Sequence, residues 1–550
     1  MDGDIIGLKP SVQEENILTP ATNQRSSDEI DLVLRCVTSD MNSSVTPVVE
    51  AKIHCLPVEV LGKIMIDCEP VYDVFRSGGS GPVQLGRICR SWREISLSIP
   101  ALWSLFALEV AGYGDGFHHS RTWGPVVQEQ IAKCLRLHLT RSRDAPLAVV
   151  VCLEHEPYDG VKHLLNEFAQ HSSRWRFLRL QTLECDSSWL NSHIRSLPSL
   201  EFVAFNEETI YLEDIEMAPR LHSVEVHNFN HDTITRRLPW AQITTLVLLG
   251  DAPDLPALLK LCPKVRNVSI AHDPEFGGFD SLEPYDDPPM VLSHCARFEM
   301  VLFQSLYSWE KDDTLDNDDD LRDFFGSFSV PAAQSIVLCD KQSVPQPLPI
   351  KYVAPFLENT RTLKELVLEG AVLDRRGYHT GETHLMAILK SVPKLVTLVI
   401  GVPRFPRESK EQSKDLFQHH HSFMDALLQT IHPQLHGQLL VPRLQSLEIG
   451  GVDISVWRLR WKDMYSALRF RRRGNVFIEE EEMPGLQRLT IQVVASRKAR
   501  RFQAKIQEVA KRDIDITVRL DEDPDYQESA VSEESDDAGF ELEDFSGGKD

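Results

Sequence analysis

The sequence predicts an α/β protein, a small helical module followed by a long, irregular solenoid of parallel strands. Three observations lead there. Apolar residues between Leu56 and Ile95 recur at helical spacing. From Leu197 to Met483 one short pattern returns ten times: a break, usually with proline, one apolar residue, two polar ones, then alternating apolar residues. The charge is confined: of a net −24, residues 521–550 carry −12 and residues 310–323 carry −6. The other 506 residues are nearly balanced at −6, so the acidity belongs to two segments and not to the folded body. With 42% apolar residues the chain can fill a large core, which excludes wholesale disorder. Phosphate neutralisation needs a net basic surface, so a globally nucleic-acid-binding chain is disfavoured.

Residues 1–52 are polar, with one short stretch, Glu29 to Val37, that suits a helical turn or two. They read as a mostly disordered arm. The first strong helix follows. Leu56, Val60, Leu61 and Ile64 fall on one face, Pro57 stands where a helix tolerates a missing donor, and Glu59 lies in the first turn. Gly62 reads as a flaw costing about 1 kcal/mol against alanine. After the Gly- and Ser-rich loop from Ser77 to Pro82, Val83, Leu85, Ile88, Cys89, Trp92 and Ile95 continue the helical spacing until Pro100. Trp103 begins an apolar exit.

This stretch resembles the F-box, a three-helix module of some fifty residues. The matching residues are Leu56, Pro57, Glu59, Val60, Leu61, Ile88, Cys89, Arg90, Trp92, Arg93, Pro100, Leu102 and Trp103. The ending IPALWSLFAL is similar to that of the large set of fungal F-box proteins. Gly62 and a longer first loop depart from the pattern. The resemblance implies docking on a Skp-type adaptor and, through it, on a cullin–RING ubiquitin ligase. It implies adaptor contacts at Leu56, Pro57, Val60, Leu61, Ile64, Ile88, Trp92 and Leu102. Some of these must fill the module's own core, Trp92 and Ile88 foremost.

Beyond the module, Ile131 to Leu153 reads as a helix, a turn and a β-branched strand. Val161 to His171 reads as a helix, and Trp175, Leu178 and Leu180 as an alternating strand. The ten units begin at Leu197, Ala218, Leu238, Cys262, His294, Val330, Asn359, Val392, Val441 and Met483. Each alternating stretch suits a short parallel strand, and the residues between return the chain, often as a helix such as Glu382 to Ser391. One unit cannot bury its own apolar face, whereas stacked units can. The pattern is similar to a divergent leucine-rich repeat without the Asn/Cys ladder position. The expected organisation is an arm (1–52), an F-box (53–108), a repeat solenoid (109–520) and a disordered acidic tail (521–550).

Two acidic loops are expected, Glu275 to Pro289 and Glu310 to Phe324, and a longer insertion from Ser409 to His436. Two basic segments close the solenoid. Val456 to Gly474 has seven bases and one acid with Trp457, Trp461, Tyr465 and Phe470 interleaved, and Ala495 to Arg512 forms a basic helix before a last strand, Asp513 to Leu520. The first segment leaves three readings open: a surface for RNA or another anionic partner, rings packed into the solenoid with arginines in solvent, or a partner for the acidic tail.

No constellation carries chemistry. His419, His420 and His421 point three ways on a helix, and His432 and His436 complete no metal site with them. Asp316, Asp318 and Asp320 begin a calcium-loop spacing, but Leu321 and Ser327 stand where glycine and glutamate are required. Gly112, Gly114 and Gly116 follow no strand and precede no lysine. Catalytic signatures are missing, so the expectation is a non-enzyme without cofactor or metal. Ten scattered cysteines without a CxxC pair read as reduced thiols, and MDGDIIGLKP is no signal peptide. The expected protein is soluble and intracellular, in cytoplasm, nucleus or both, without membrane contact. Its expected role is substrate recognition in an SCF-type ubiquitin ligase, with the repeats binding a protein substrate of unknown identity. The alternative is a non-catalytic repeat scaffold whose F-box acts outside ubiquitin ligases.

Overall fold

A computed structural model describes residues 56–67, 81–110, 125–153, 159–182, 193–194, 196–206, 213–227, 238–249, 255–272, 289–302, 324–340, 350–369, 384–401, 424, 427–428, 440–451, 457, 460–467, 477–478, 481–482, 486–494, 497–510 and 515–521. The arm, the glycines at 112–116, the aspartates at 312–320, the five histidines at 419–436 and the tail beyond Asp521 lie outside the described residues.

Three helices open the described chain: α1 (Val58–Asp67), α2 (Gly81–Ile88) and α3 (Arg90–Ser98), followed by a 3-10 turn, Pro100–Trp103. The Pro57 carbonyl accepts the Val60 and Leu61 amides at 3.0 Å, so Pro57 caps α1 rather than starting it. The unbroken spacing from Val83 to Ile95 hides a break. Cys89 is extended (φ −157°, ψ 172°), and its Sγ accepts the Trp92 amide at 3.4 Å, capping α3. Gly62 is no flaw either. A Cβ there would lie 2.7 Å from Cδ1 of Ile99, which packs against the bare backbone. Gly62→Ala is therefore expected to bring no rise in melting temperature, where an open helix-interior site would gain about 1 kcal/mol. A clear rise in a thermal melt would show that Ile99 yields at no cost.

The sheet begins at once. Strand β1 is Leu105–Val110, so the helical module ends at Trp103, short of the boundary at 108 expected from sequence. Thirteen further strands of the same sheet follow among the described residues, starting with β2 (Leu147–Leu153), β3 (Trp175–Thr182), β4 (Phe202–Asn206), β5 (Ser223–His227), β6 (Thr245–Leu249) and β7 (Asn267–His272). Then come β8 (Arg297–Leu302), β9 (Ser335–Asp340), β10 (Glu365–Glu369), β11 (Thr397–Gly401), β12 (Ser446–Gly450), β13 (Arg488–Val494) and β14 (Asp515–Asp521). All fourteen form one sheet in chain order, each parallel to the next. This is a solenoid-like α/β architecture. Parallel neighbours require a crossover, and helices α4 (Pro125–Ser142), α5 (Asp159–Ala169), α6 (Leu255–Leu261), α7 (Ile350–Glu358), α8 (His384–Ser391) and α9 (Arg497–Ala510) supply crossovers. In the short units around β5 and β6 the described connecting residues include 3-10 turns, Glu213–Met217 and Trp240–Gln242.

The recurring sequence unit has a direct physical counterpart. Leu200, Leu221, Ile243, Val265, Cys295, Ala333, Leu363, Leu395, Leu444 and Leu486 are all buried, and so is the residue three and the residue five positions after each. These three rows stack from unit to unit into one core. Each fully buried side chain of this size is worth about 1.5–3 kcal/mol. The missing Asn ladder is replaced by backbone. The carbonyl of the residue just before each strand accepts the amides of its counterpart and of the next residue in the following unit. His222 and Ser223 donate to Glu201 at 3.1 Å, and Thr244 and Thr245 donate to His222 at 2.8 and 3.0 Å. The same pair of bonds recurs down to Gln445, which accepts from Gln487 and Arg488 at 2.8 and 3.0 Å. A backbone ladder asks nothing of the side chain at that position, so no consensus residue marks it.

Two expected surface segments are partly interior. Phe324 is helical and fully buried against Phe328, with ring centroids 5.1 Å apart, so the acidic stretch before it ends in the core. In the basic segment Trp457, Trp461, Met464 and Ala467 are buried, and residues 460–467 are helical. Among the described residues no helix is long and apolar enough to cross a membrane.

Candidate functional site

The helical module has a small core of its own: Leu61, Met65, Ile95, Leu102 and Trp103, with Leu85, Trp92 and Ile99 packed against it. Leu61 and Met65 are four apart on α1 and use up its inward face. The module is tied to the sheet by Trp103. Its indole N–H donates to the Ser96 carbonyl at 2.8 Å, its ring meets His138 of α4 edge-on at 5.0 Å, and Arg141 lies 4.7 Å over it. His138 is buried; its ring nitrogens make no hydrogen bond of normal geometry, although the Trp103 backbone lies near enough to favour the protonated ring. Burial pushes its pKa down to about 4; the Trp103 backbone opposes that shift and the Arg141 charge adds to it.

With the core thus filled, many apolar side chains remain outside it. Leu56, Val58, Val60, Ile66, Ile88 and Leu97 are exposed, and they make up six of the nine exposed large apolar residues among the described residues. Scattered single leucines need no explanation on a protein surface, but six within one small module do. The eight residues implied by the F-box resemblance divide into three groups. Leu56, Pro57, Val60 and Ile88 are exposed, Ile64 and Trp92 are half-buried, and Leu61 and Leu102 are interior. Ile88, expected inside, is 59% exposed, because α2 ends there and its chain turns into the Cys89 cap. The sequence reading missed Val58, Ile66 and Leu97. Their signal was available: apolar residues lying off the inward stripe of an amphipathic helix.

The other face of the sheet, opposite the main core, carries contacts of its own, and Ala204, Glu225, Ala271, Val301 and Cys339 on it are buried. Arg179 of β3 reaches across Ala204 of β4 to Glu225 of β5, following the strand register. Its Nη2 donates to both Glu225 oxygens at 2.9 and 3.0 Å, and His227 Nε2 lies 2.8 Å from Oε1. Burial alone would raise the Glu225 carboxyl; the His227 hydrogen bond and the Arg179 charge outweigh it and hold the pKa below its usual value. Further along, Ala271, Val301 and Cys339 form a small apolar cluster with Leu249, in register across β6 to β9. Cys339 Sγ donates to Glu369 at 2.8 Å. Toward the C-terminal end Gln492 donates to Glu448, and Arg519 lies 3.6 Å from the same carboxylate. This face therefore alternates charged and apolar patches along the sheet.

Among the described residues no three His, Cys, Asp or Glu side chains converge on a metal position. Cys262 and Cys295 are buried thiols whose pKa values burial pushes up to about 12, which leaves them protonated and inert. The chain matches no family model and no curated protein.

Proposed function

We propose that this protein is the substrate-recognition subunit of an SCF-type ubiquitin ligase. The helical module, read as an F-box, docks on a Skp-type adaptor, and the leucine-rich-repeat-like solenoid holds a protein substrate. The observation that carries this reading is the surplus of exposed apolar side chains on a module whose own core is already filled. The eight sequence-implied positions support it unequally. Leu56, Pro57, Val60, Ile64, Ile88 and Trp92 are accessible for contact, while Leu61 and Leu102 act by shaping the surface from within. The proposed mechanism involves no covalent chemistry on this chain. Tethering a substrate near a conjugating enzyme raises the local concentration of the reacting amine to about the millimolar range.

The test uses purified Skp-type adaptor and the full chain. Wild type is expected to bind. Val60→Asp with Ile88→Asp is expected to weaken binding at least a hundredfold while circular dichroism and melting temperature stay as in wild type. No adaptor binding by wild type, or binding untouched by the double substitution, would remove the ligase reading.

A further inference from the structure

We propose that residues 522–550 dock on a basic face formed by α9 and the helical residues 460–467, covering it against acidic partners. The proposal does not rest on the ubiquitin-ligase reading.

The fold brings together two basic stretches that the sequence keeps apart. Phe502 of α9 meets Trp461 and Trp457, with ring centroids 5.8 and 6.4 Å apart. Trp457, Trp461, Met464, Ala467, Ala499, Phe502 and Ile506 are all buried in the main core. The apolar sides of both helices are therefore spent, and the rings are not free to stack on bases. Lys462, Arg500 and Arg501 are exposed. Residues 456–474 hold seven bases and one acid, and residues 495–512 hold the same numbers. Segments of this charge attract anions.

The occupant is named by geometry and charge. Strand β14 follows α9, and Gln503 of α9 donates to the Val518 carbonyl at 2.9 Å, so strand and helix are joined. Asp521 pairs in register with Val494, and α9 begins at Arg497, only three residues on. The chain beyond Asp521 therefore departs beside the N-terminal end of α9, where Arg497, Lys498, Arg500 and Arg501 are concentrated. The helix dipole also favours an anion at that end. Residues 522–550 carry twelve acids and one base. Extended, they reach about 95 Å, far more than the roughly 21 Å length of α9. An acidic segment tethered this close acts at about millimolar effective concentration, which an untethered partner must overcome.

The test keeps the full chain. In one variant the tail acids Glu533, Glu534, Asp536, Asp537, Glu541, Glu543 and Asp544 become Gln or Asn. A fluorescent peptide of residues 522–550 is then titrated at low salt. It is expected to bind the neutral-tail chain at least tenfold more tightly than wild type. Adding Arg500→Glu and Arg501→Glu, or adding Lys462→Gln and Arg501→Gln should the first pair unfold the chain, is expected to undo the gain. In wild type, carbodiimide coupling followed by mass spectrometry is expected to join tail acids to Lys462, Lys498 or Lys505. Equal peptide affinity for the wild-type and neutral-tail chains, or a gain that survives the changes at Arg501, overturns the proposal. Tighter binding of a short single-stranded RNA to wild type than of the peptide to the neutral-tail chain would assign the face to nucleic acid instead.

Discussion

Leu61→Asp is expected to unfold the helical module while the sheet stays folded. Leu61 is 3% exposed in a core of only five buried residues, and that core is separate from the main one. A carboxylate there would replace an apolar contact in that core, and burying a charge costs several kcal/mol, at least about 4. A module this small has no such reserve. Val60 is next in the chain and 43% exposed, so Val60→Asp is expected to cost less than about 0.5 kcal/mol. Fluorescence of Trp92 and Trp103 and the melting profile read the difference. An early transition should appear for Leu61→Asp and not for Val60→Asp. Identical melts for the two variants would show that α1 is not packed as described. In practice, paired aspartates at Leu61 and Ile64 cannot separate lost binding from lost folding, whereas Val60 and Ile88 can.

The second large effect concerns acid. His138 is buried, and burial holds its pKa at about 4 in the folded protein against about 6.5 when unfolded. The unfolded chain therefore binds the proton first, and stability falls as pH drops. Above about pH 6.5 the contribution is complete and level. Between about pH 6.5 and 4 it is lost, at up to about 1.4 kcal/mol per unit and about 3 kcal/mol in all. The loss falls on the junction, because His138 packs on Trp103. His138→Phe keeps the ring contact and removes the titrating group. It is expected to flatten the difference in stability between pH 7 and pH 4.5. Denaturant melts of both proteins across that range test this. Parallel curves would place the acid sensitivity elsewhere, for instance at His171, which is also lowered by burial.

Much of the fold was legible because its unit is local. The apolar residues at one, four and six in each repeat meet the same core in every turn, so they recur in the chain at LPSLEF, APRLHSVEV and VPKLVTLVI alike. The helical starts were legible for the same reason. What escaped were features whose cause lies elsewhere in the chain. Gly62 looks costly until Ile99 is found against it, thirty-seven residues on. Cys89 reads as a helical core residue until its thiol is seen capping α3. The backbone ladder leaves no sequence mark, since any residue has a carbonyl to offer. At the candidate site, periodicity located the helices but could not say which apolar residues faced out. Leu61 and Val60 are neighbours of the same chemical kind, and only packing against Ile95 and Leu102 separates them.

By itself, then, the sequence determined the class of the fold, the order of its strands and the place of the helical module, because short-range periodicity encodes which side chains turn inward. The tertiary structure alone decided which apolar residues of the module stay exposed, that Arg179 spans two strands to Glu225, and that two distant basic segments pack together through their rings. Those are contacts between residues far apart in the chain, and no local pattern records the geometry that joins them.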